Sequence, residues 1–386
     1  MKELSTRTTK FRESLIRRMT RISNECGAIN LSQGFPDFDP PQEIMDRLAQ
    51  VAYEGPHQYP VTWGAKNFRE ALAKKQSHFM GRDLGVDENV LVTVGGTEAM
   101  VCAMMALCDP GDKVAVFSPF FENYLAEIIM AGAEPVYVPL TPPAFTFDPN
   151  QLEDVFRQGV KAMILCNPSN PSGRVFTYEE MKTIADLAVK YDVYIVTDEV
   201  YEHIIYEPNK HIYMNSLPGM WERTISCGSL SKTYHITGWR LGYIIAPKEI
   251  LDRCKQVHDF TTVGAAAPMM EAAITGLNFP LSYYKELQDR YQHMKDLFVG
   301  GLKNLGIPYS DPQGAYYVMV DISPYCKNDD VGFCEWMARE LGVAAVPGST
   351  FFREDVHTMA RFHFAKRDET LYEALNRLEG LKTKQY

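Results

Sequence analysis

Between about residues 90 and 247, short apolar runs rich in β-branched residues alternate with loops and amphipathic stretches of helical period. Val90–Val94 (VLVTV) passes through Gly95-Gly96-Thr97-Glu98-Ala99 into MVCAMMAL, which stops at Asp109-Pro110-Gly111. Lys113–Phe117 leads into a helical stretch at Asn123–Ala131. Lys161–Cys166, Val193–Thr197, Thr224–Cys227 and Leu241–Ala246 complete the set of strands that the pattern predicts. Thr177-Tyr178-Glu179-Glu180 has the spacing of a capping box ahead of MKTIADLAVKYD. Strands that are apolar at nearly every position, alternating with helices, predict an α/β fold with a mostly parallel sheet covered on both faces. The string SLSKTYHITGWR, residues 229–240, is too polar and too rich in Gly, Ser and Thr for helix, so a loop is predicted there.

The texture changes after about residue 285. A long amphipathic helix over Tyr284–Leu305 precedes GAYYVMVDIS, a helical stretch at Val331–Leu341, and short strands at Val343–Val346 and Ala360–Phe364. This is α+β patterning and predicts a second, smaller lobe. The expected division is an N-terminal segment, residues 1–45, packing with the small domain, a large domain over 46–284, and a small C-terminal domain over 285–386. No internal repeat or low-complexity tract interrupts it.

A length of 386 residues is compatible with two or three domains. With 39 basic and 49 acidic residues the formal charge is −10, which argues against broad binding to nucleic acid or to an anionic membrane. The eight cysteines form no CxxC pair and the nine histidines no HExxH, so disulfides and a metal site are not expected. The N-terminal stretch is charged throughout, without the apolar core of a secretory signal, and no apolar run has membrane-spanning length. A soluble, cytoplasmic protein is expected.

In an open parallel sheet, ligands sit beyond the carboxyl ends of the strands, so the residues just after each apolar run are the candidates for chemistry. Gly95-Gly96-Thr97 opens a helix. Alone it is most often a plain turn, but its free N–H groups suit a phosphate. Asn167-Pro168-Ser169-Asn170-Pro171 makes a stiff loop that fixes Asn170, or simply a capped turn. Asp198 ends a buried run, where a carboxylate needs a cation or a strong donor unless it is only a helix cap, and Tyr201 follows three residues later. Ser229, Ser231, Lys232 and Arg240 place hydroxyls, an amine and a guanidinium within twelve residues. Arg361, in ARFHF, either faces solvent or recognises a carboxylate through its planar fork. Taken together these groups match the needs of pyridoxal 5′-phosphate: an amine for a Schiff base, an acid for the pyridine nitrogen, and a cradle for phosphate.

At this point the sequence resembles the class I aminotransferases of the fold-type I superfamily, most closely the kynurenine/glutamine-type and prokaryotic aspartate-type branches. The matching residues are SQGFPDFDPP (32–41), QYPVTWG (58–64), VTVGGTEA (92–99), SPFFENY (118–124), NPSNPSG (167–173), TDEVY (197–201), SLSKTYHITGWRLGY (229–243), PQGAYY (312–317) and RFHFAK (361–366). They occur in the same order along nearly the whole chain. The resemblance implies a large cofactor-binding domain with a seven-stranded sheet and a smaller α+β domain.

It also implies roles. Lys232 would be the Schiff-base lysine and the acid/base of proton transfer, and Asp198 the partner of the pyridine nitrogen. Asn170 and Tyr201 would hold the phenolic oxygen, and Phe121 would stack on the ring. Gly96, Thr97, Ser229, Ser231 and Arg240 would bind phosphate, joined by Tyr59 from the other subunit of a homodimer with shared active sites. Gly34 and Asn170 would meet the substrate, and Arg361 would clamp its carboxylate. His235 and Trp239 would be scaffold. The implied activity is ping-pong transfer of an amino group from an L-amino acid to a 2-oxo acid. The donor would be aromatic, kynurenine-, glutamine- or methionine-like, or aspartate, with Arg17 or Arg18 available for a second carboxylate. A cysteine-S-conjugate β-lyase on the same fold is the alternative.

Overall fold

The computed structural model describes residues 2–11 and 13–386; Met1 and Arg12, part of the N-terminal segment, lie outside the described residues. Seven strands form the central sheet: β1 (Val90–Val94), β2 (Lys113–Ser118), β3 (Glu134–Pro139), β4 (Ala162–Cys166), β5 (Tyr194–Asp198), β6 (Thr224–Ser229) and β7 (Leu241–Ile245). Their order is β1-β7-β6-β5-β4-β2-β3, and only β7 runs antiparallel to its neighbours. Apolar clusters cover both faces, one around Phe117, Leu152 and Ile184, the other around Met100, Tyr124 and Leu251. Continuous apolar strands follow from this double burial.

Two features depart from the sequence reading. The strand set was incomplete: β3, with Pro135 and Pro139, pairs with β2 alone at the sheet edge. Proline is tolerated at such an edge, where no ladder hydrogen bond is required of it, and it hides the strand from pattern reading. The second departure lies in 229–240, which is not all loop. Leu230–Thr233 forms one α-helical turn, with Ser229 Oγ accepting from Ser231 N at 3.1 Å, and Thr237–Trp239 forms a 3-10 turn. A single turn is too short for periodicity to announce. At Thr177 the capping box is present in both directions.

A three-stranded antiparallel sheet follows, with β8 (Tyr317–Asp321), β9 (Val346–Pro347) and β10 (Met359–His363) in the order β9-β10-β8. Near the N-terminus, Ile29–Asn30 pairs in parallel with Val343–Ala344, and the helix Leu15–Cys26 packs on Met337–Leu341. The helix Gln42–Glu54 instead packs on Ala267–Leu277.

The register aligns the candidate residues. Cys166 lies opposite Asp198, and Asp198 opposite Cys227, so the loops after β4, β5 and β6 leave from one edge. Because β7 is antiparallel, its first residue, Leu241, sits opposite Val94 at that same edge. Arg240, immediately before β7, therefore arrives beside the residues that follow the other strands. The approach is close: a Cβ on Gly242 would collide with the backbone of Gly95 and Gly96. Gly242→Ala should destabilise the protein by about 1–3 kcal/mol through forced separation of β7 from the helix start. Gly238→Ala, where nothing lies within 4 Å, should stay within about 0.5 kcal/mol of the parent in the same denaturant titration.

Candidate active site

The loops enclose a cleft of about 270 Å³ whose walls include Lys232, Asp198, Arg240 and Arg361. Of the thirteen sequence-predicted site residues, twelve line it: Gly34, Gly96, Thr97, Phe121, Asn170, Asp198, Tyr201, Ser229, Ser231, Lys232, Arg240 and Arg361. Tyr59 does not; its side chain is 86% exposed, away from the cleft of its own chain.

One end of the cleft is built for an anion. The helix Gly95–Leu107 begins there with its first N–H groups open, an arrangement that favours negative charge. Arg240 closes the 3-10 turn in left-handed conformation (φ 55°) and gives Nη1 to Thr237 O at 2.9 Å, leaving the rest of its fork uncommitted. Glycine suits position 95 because φ there is 77°, and the absent Cβ also leaves room for the Arg240 guanidinium. The Ser231 hydroxyl is buried without a partner. Ser229 Oγ donates to Leu241 O at 3.0 Å while accepting from Ser231 N. Uncommitted donors gathered around a helix start fit a phosphate group.

Asp198 anchors the opposite side. Tyr124 Oη donates to its Oδ2 at 2.6 Å, and Val200 N lies 3.3 Å from Oδ1. Burial pushes the Asp198 carboxyl upward, and these donors together with Lys232 act against that push. A carboxylate so placed fits the protonated nitrogen of a pyridine ring.

Lys232 stands between the two ends. Its Nζ donates to Gly34 O at 3.2 Å and lies 5.9 Å from the centre of the Tyr201 ring. Burial, followed by the positive charges of Arg240 and Arg361, lowers its pKa to about 8 against the opposing pull of Asp198. The amine is thus far easier to deprotonate than a lysine in water. The Tyr201 hydroxyl is 2.9 Å from that of Tyr317, and burial keeps both phenols protonated.

Arg361 lies mid-strand in β10 and is 1% exposed, so the solvent-facing alternative is removed. Nη1 donates to Asn170 Oδ1 and Nη2 to Ser32 O, both at 2.7 Å, and the guanidinium packs over Tyr317 and Phe351. Its Nε has no partner, and no carboxylate among the described residues forms an ion pair with it. A buried cation without a counter-ion suits a carboxylate ligand.

Several lining residues were not singled out from the sequence. Tyr124 and Glu127 lie on the helix Asn123–Met130 at i+3 and i+6 from Phe121; their signal was polar groups at helical spacing in an otherwise apolar run. Tyr317, in PQGAYY, meets both Tyr201 and Arg361. At the mouth, Arg17 and Glu122 line the cleft, whereas Arg18 is tied to Glu335 at 2.5 Å. Phe260 is 94% exposed and does not line the cleft. Behind the anion end, His258 bridges Glu98 Oε1 and Thr62 O, each at 2.8 Å. Cys102 lies beside this pair. Both ring nitrogens of His258 are committed, so the group braces the helix start instead of offering open ligands.

Residues 27–378 match the family described as aminotransferase class I and II. Methionine aminotransferase of Escherichia coli strain K12 is 34% identical over 95% of this chain and 96% of its own. Kynurenine–oxoglutarate transaminase 3 of Bos taurus is 34% identical over 91% of this chain and 84% of its own. The solved structure of N-succinyldiaminopimelate aminotransferase from Mycobacterium tuberculosis superimposes with a TM-score of 0.95 at 33% identity, covering 98% of this chain and all of that one.

The acidity of Lys232 has a direct readout. In apo-protein, reductive methylation of Lys232 by formaldehyde and cyanoborohydride, followed by peptide mass spectrometry, should rise with pH and level off above about 8. Exposed lysines titrate near about 10.4 and should keep gaining reactivity through pH 9.

Proposed function

This chain belongs to the class I and II aminotransferase family and is a pyridoxal 5′-phosphate-dependent transaminase acting on amino acids and 2-oxo acids; we propose that the cleft residues divide the work as follows. Bound in the cleft, the cofactor supplies an aldehyde for imine chemistry and a pyridinium ring that accepts electrons from the substrate Cα. Lys232 is the amine that joins it and, once displaced by substrate, the base that takes the Cα proton and holds it for return to the adjacent carbon. Asp198, steadied by Tyr124, keeps the ring nitrogen protonated. Asn170 and Tyr201 hold the phenolic oxygen, Phe121 covers the ring, and Gly96, Thr97, Ser229, Ser231 and Arg240 hold the phosphate. Arg361 takes the substrate α-carboxylate bidentately, and Asn170 orients its fork. Gly34 lies on the loop that meets the substrate. The observation that carries this division is the lowered pKa of Lys232, in one cleft with an open anion cradle and a buried acid.

We propose a homodimer with shared active sites. Tyr59, largely exposed and outside its own cleft, is free to reach the phosphate end of a second copy. The chain is read as an N-terminal segment (1–45), a large domain (46–284) and a small domain (285–386). No helix among the described residues is long and apolar enough to cross a membrane, in keeping with a cytoplasmic enzyme. For substrates we propose an elongated amino donor, aromatic or kynurenine-, glutamine- or methionine-like, with a dicarboxylic oxo acid as acceptor. Arg17, at the mouth without an ion-pair partner among the described residues, would meet the distal carboxylate.

Borohydride treatment of the holoenzyme and peptide mapping should find the cofactor fixed on Lys232, and Lys232→Ala should lose turnover by at least about 10²–10⁴-fold. A tag on another lysine overturns the assignment. Arg361→Ala should raise KM for every amino acid while the visible absorbance of bound cofactor survives. Arg17→Ala should raise KM for 2-oxoglutarate and leave that for pyruvate unchanged.

A further inference from the structure

The most anomalous group in the molecule is Glu127. It lies on the helix Asn123–Met130, in NYLAEIIM, where it is the one ionisable residue among apolar neighbours from Leu125 onward. The side chain is 2% exposed and lines the same cleft as Asp198. Its Oε2 is buried without a partner, and no hydrogen bond or ion pair among the described residues engages the carboxyl.

A lone buried carboxylate is costly, so this one keeps its proton. Burial, and then the negative charge of Asp198, hold the Glu127 carboxyl well above the usual carboxylate range. The titratable groups around it are few. Tyr124, one turn earlier, has its hydroxyl committed to Asp198. Cys227, across on β6, has a thiol that burial keeps protonated, with Asp198 and Glu127 both adding to the effect. Asp198, at the end of β5, is the group positioned to carry negative charge. Glu127 and Asp198 line the same cleft, so a protonated acid with an unpartnered oxygen shares that space with a carboxylate that can accept.

We infer that Glu127 is a proton-bearing second acid at the ring-nitrogen end of the cleft, which donates toward Asp198 through one water and keeps the Asp198 charge in place opposite the cofactor. It is a positioning residue, since it acts through Asp198. Beside Tyr124 Oη and Val200 N it supplies a third donor to one carboxylate, and donors to the charged form make a carboxylate a weaker base. A weaker base leaves the shared proton on the ring nitrogen. Removing the Glu127 donor lets Asp198 draw that proton toward itself, and the ring loses positive charge.

The inference rests on Asp198 facing the ring nitrogen, and the test separates the two claims. In the holoenzyme, the near-visible absorbance of the lysine-bound cofactor is titrated with pH, and cofactor affinity is measured by reconstituting apo-protein. Glu127→Gln keeps a donor and should match the parent in both measurements. Glu127→Leu should move the absorbance midpoint upward by about one pH unit and weaken cofactor binding about tenfold. Should Glu127→Leu fail to fold by circular dichroism, Glu127→Met replaces it with the same expected result. Asp198→Asn should lose cofactor affinity more severely than either. Parent-like behaviour of the apolar variant overturns the inference, as does a Gln variant that shifts with it, since the group would then act as a charge. If Asp198→Asn binds cofactor as the parent does, the Asp198 assignment falls, and the inference with it.

Discussion

The cleft is governed by an imbalance of charge. Away from the mouth, where Arg17 and Glu122 stand, Lys232, Arg240 and Arg361 bring three cationic groups to its walls, and Asp198 is the carboxylate that answers them from the strand edge. In a partly desolvated space such an excess is relieved in two ways. The most acidic cation gives up its proton more readily, as Lys232 does with its pKa lowered to about 8, and anions enter from outside. The free helix start and the unpartnered Ser231 hydroxyl prepare one place for an anion, and the unpartnered Nε of Arg361 prepares another. A phosphate-bearing aldehyde and a carboxylate-bearing amine therefore complement the charge of the cleft. The same imbalance that draws them in frees the amine that reacts with them.

This balance depends on sheet topology. Three parallel strands deliver Asn170, Asp198 and Ser229 with their following loops to one edge, and the reversal of β7 brings Arg240 to that edge from the other direction. Had β7 run parallel, the residue before it would lie at the far end of the sheet. Gly95 and Gly242 let strand and helix start touch, so the guanidinium and the open N–H groups face one small volume.

Much of this was legible in the amino-acid order because the chemistry sits where strands stop, and stops are easy to read. Asp198 directly follows an apolar run, Arg240 directly precedes one, and Lys232 stands in the polar stretch between two of them. What stayed hidden was set by register and by length. The strand at Glu134–Pro139 is masked by two prolines that only an edge tolerates. The turn carrying Lys232 is shorter than one helical repeat of evidence. Tyr124 and Glu127 belong to a helix whose orientation toward the cleft depends on packing against the sheet, which no local motif encodes. Arg361 remained ambiguous by pattern alone, since a central strand of a small sheet and an exposed one show the same alternation.

The pairing of Asn30 with Ala344 has a mechanical side. Four peptide steps later Gly34 receives the hydrogen bond from Lys232, and between them Ser32 O is held by Arg361. Four residues reach no further than about 14 Å even when taut. The pairing with Ala344, the Arg361 contact and the lysine contact thus fall within five residues of one short segment. Arg361 and Lys232 hold carbonyl oxygens only two residues apart, so the grip on the carboxylate and the resting place of the amine share a single support.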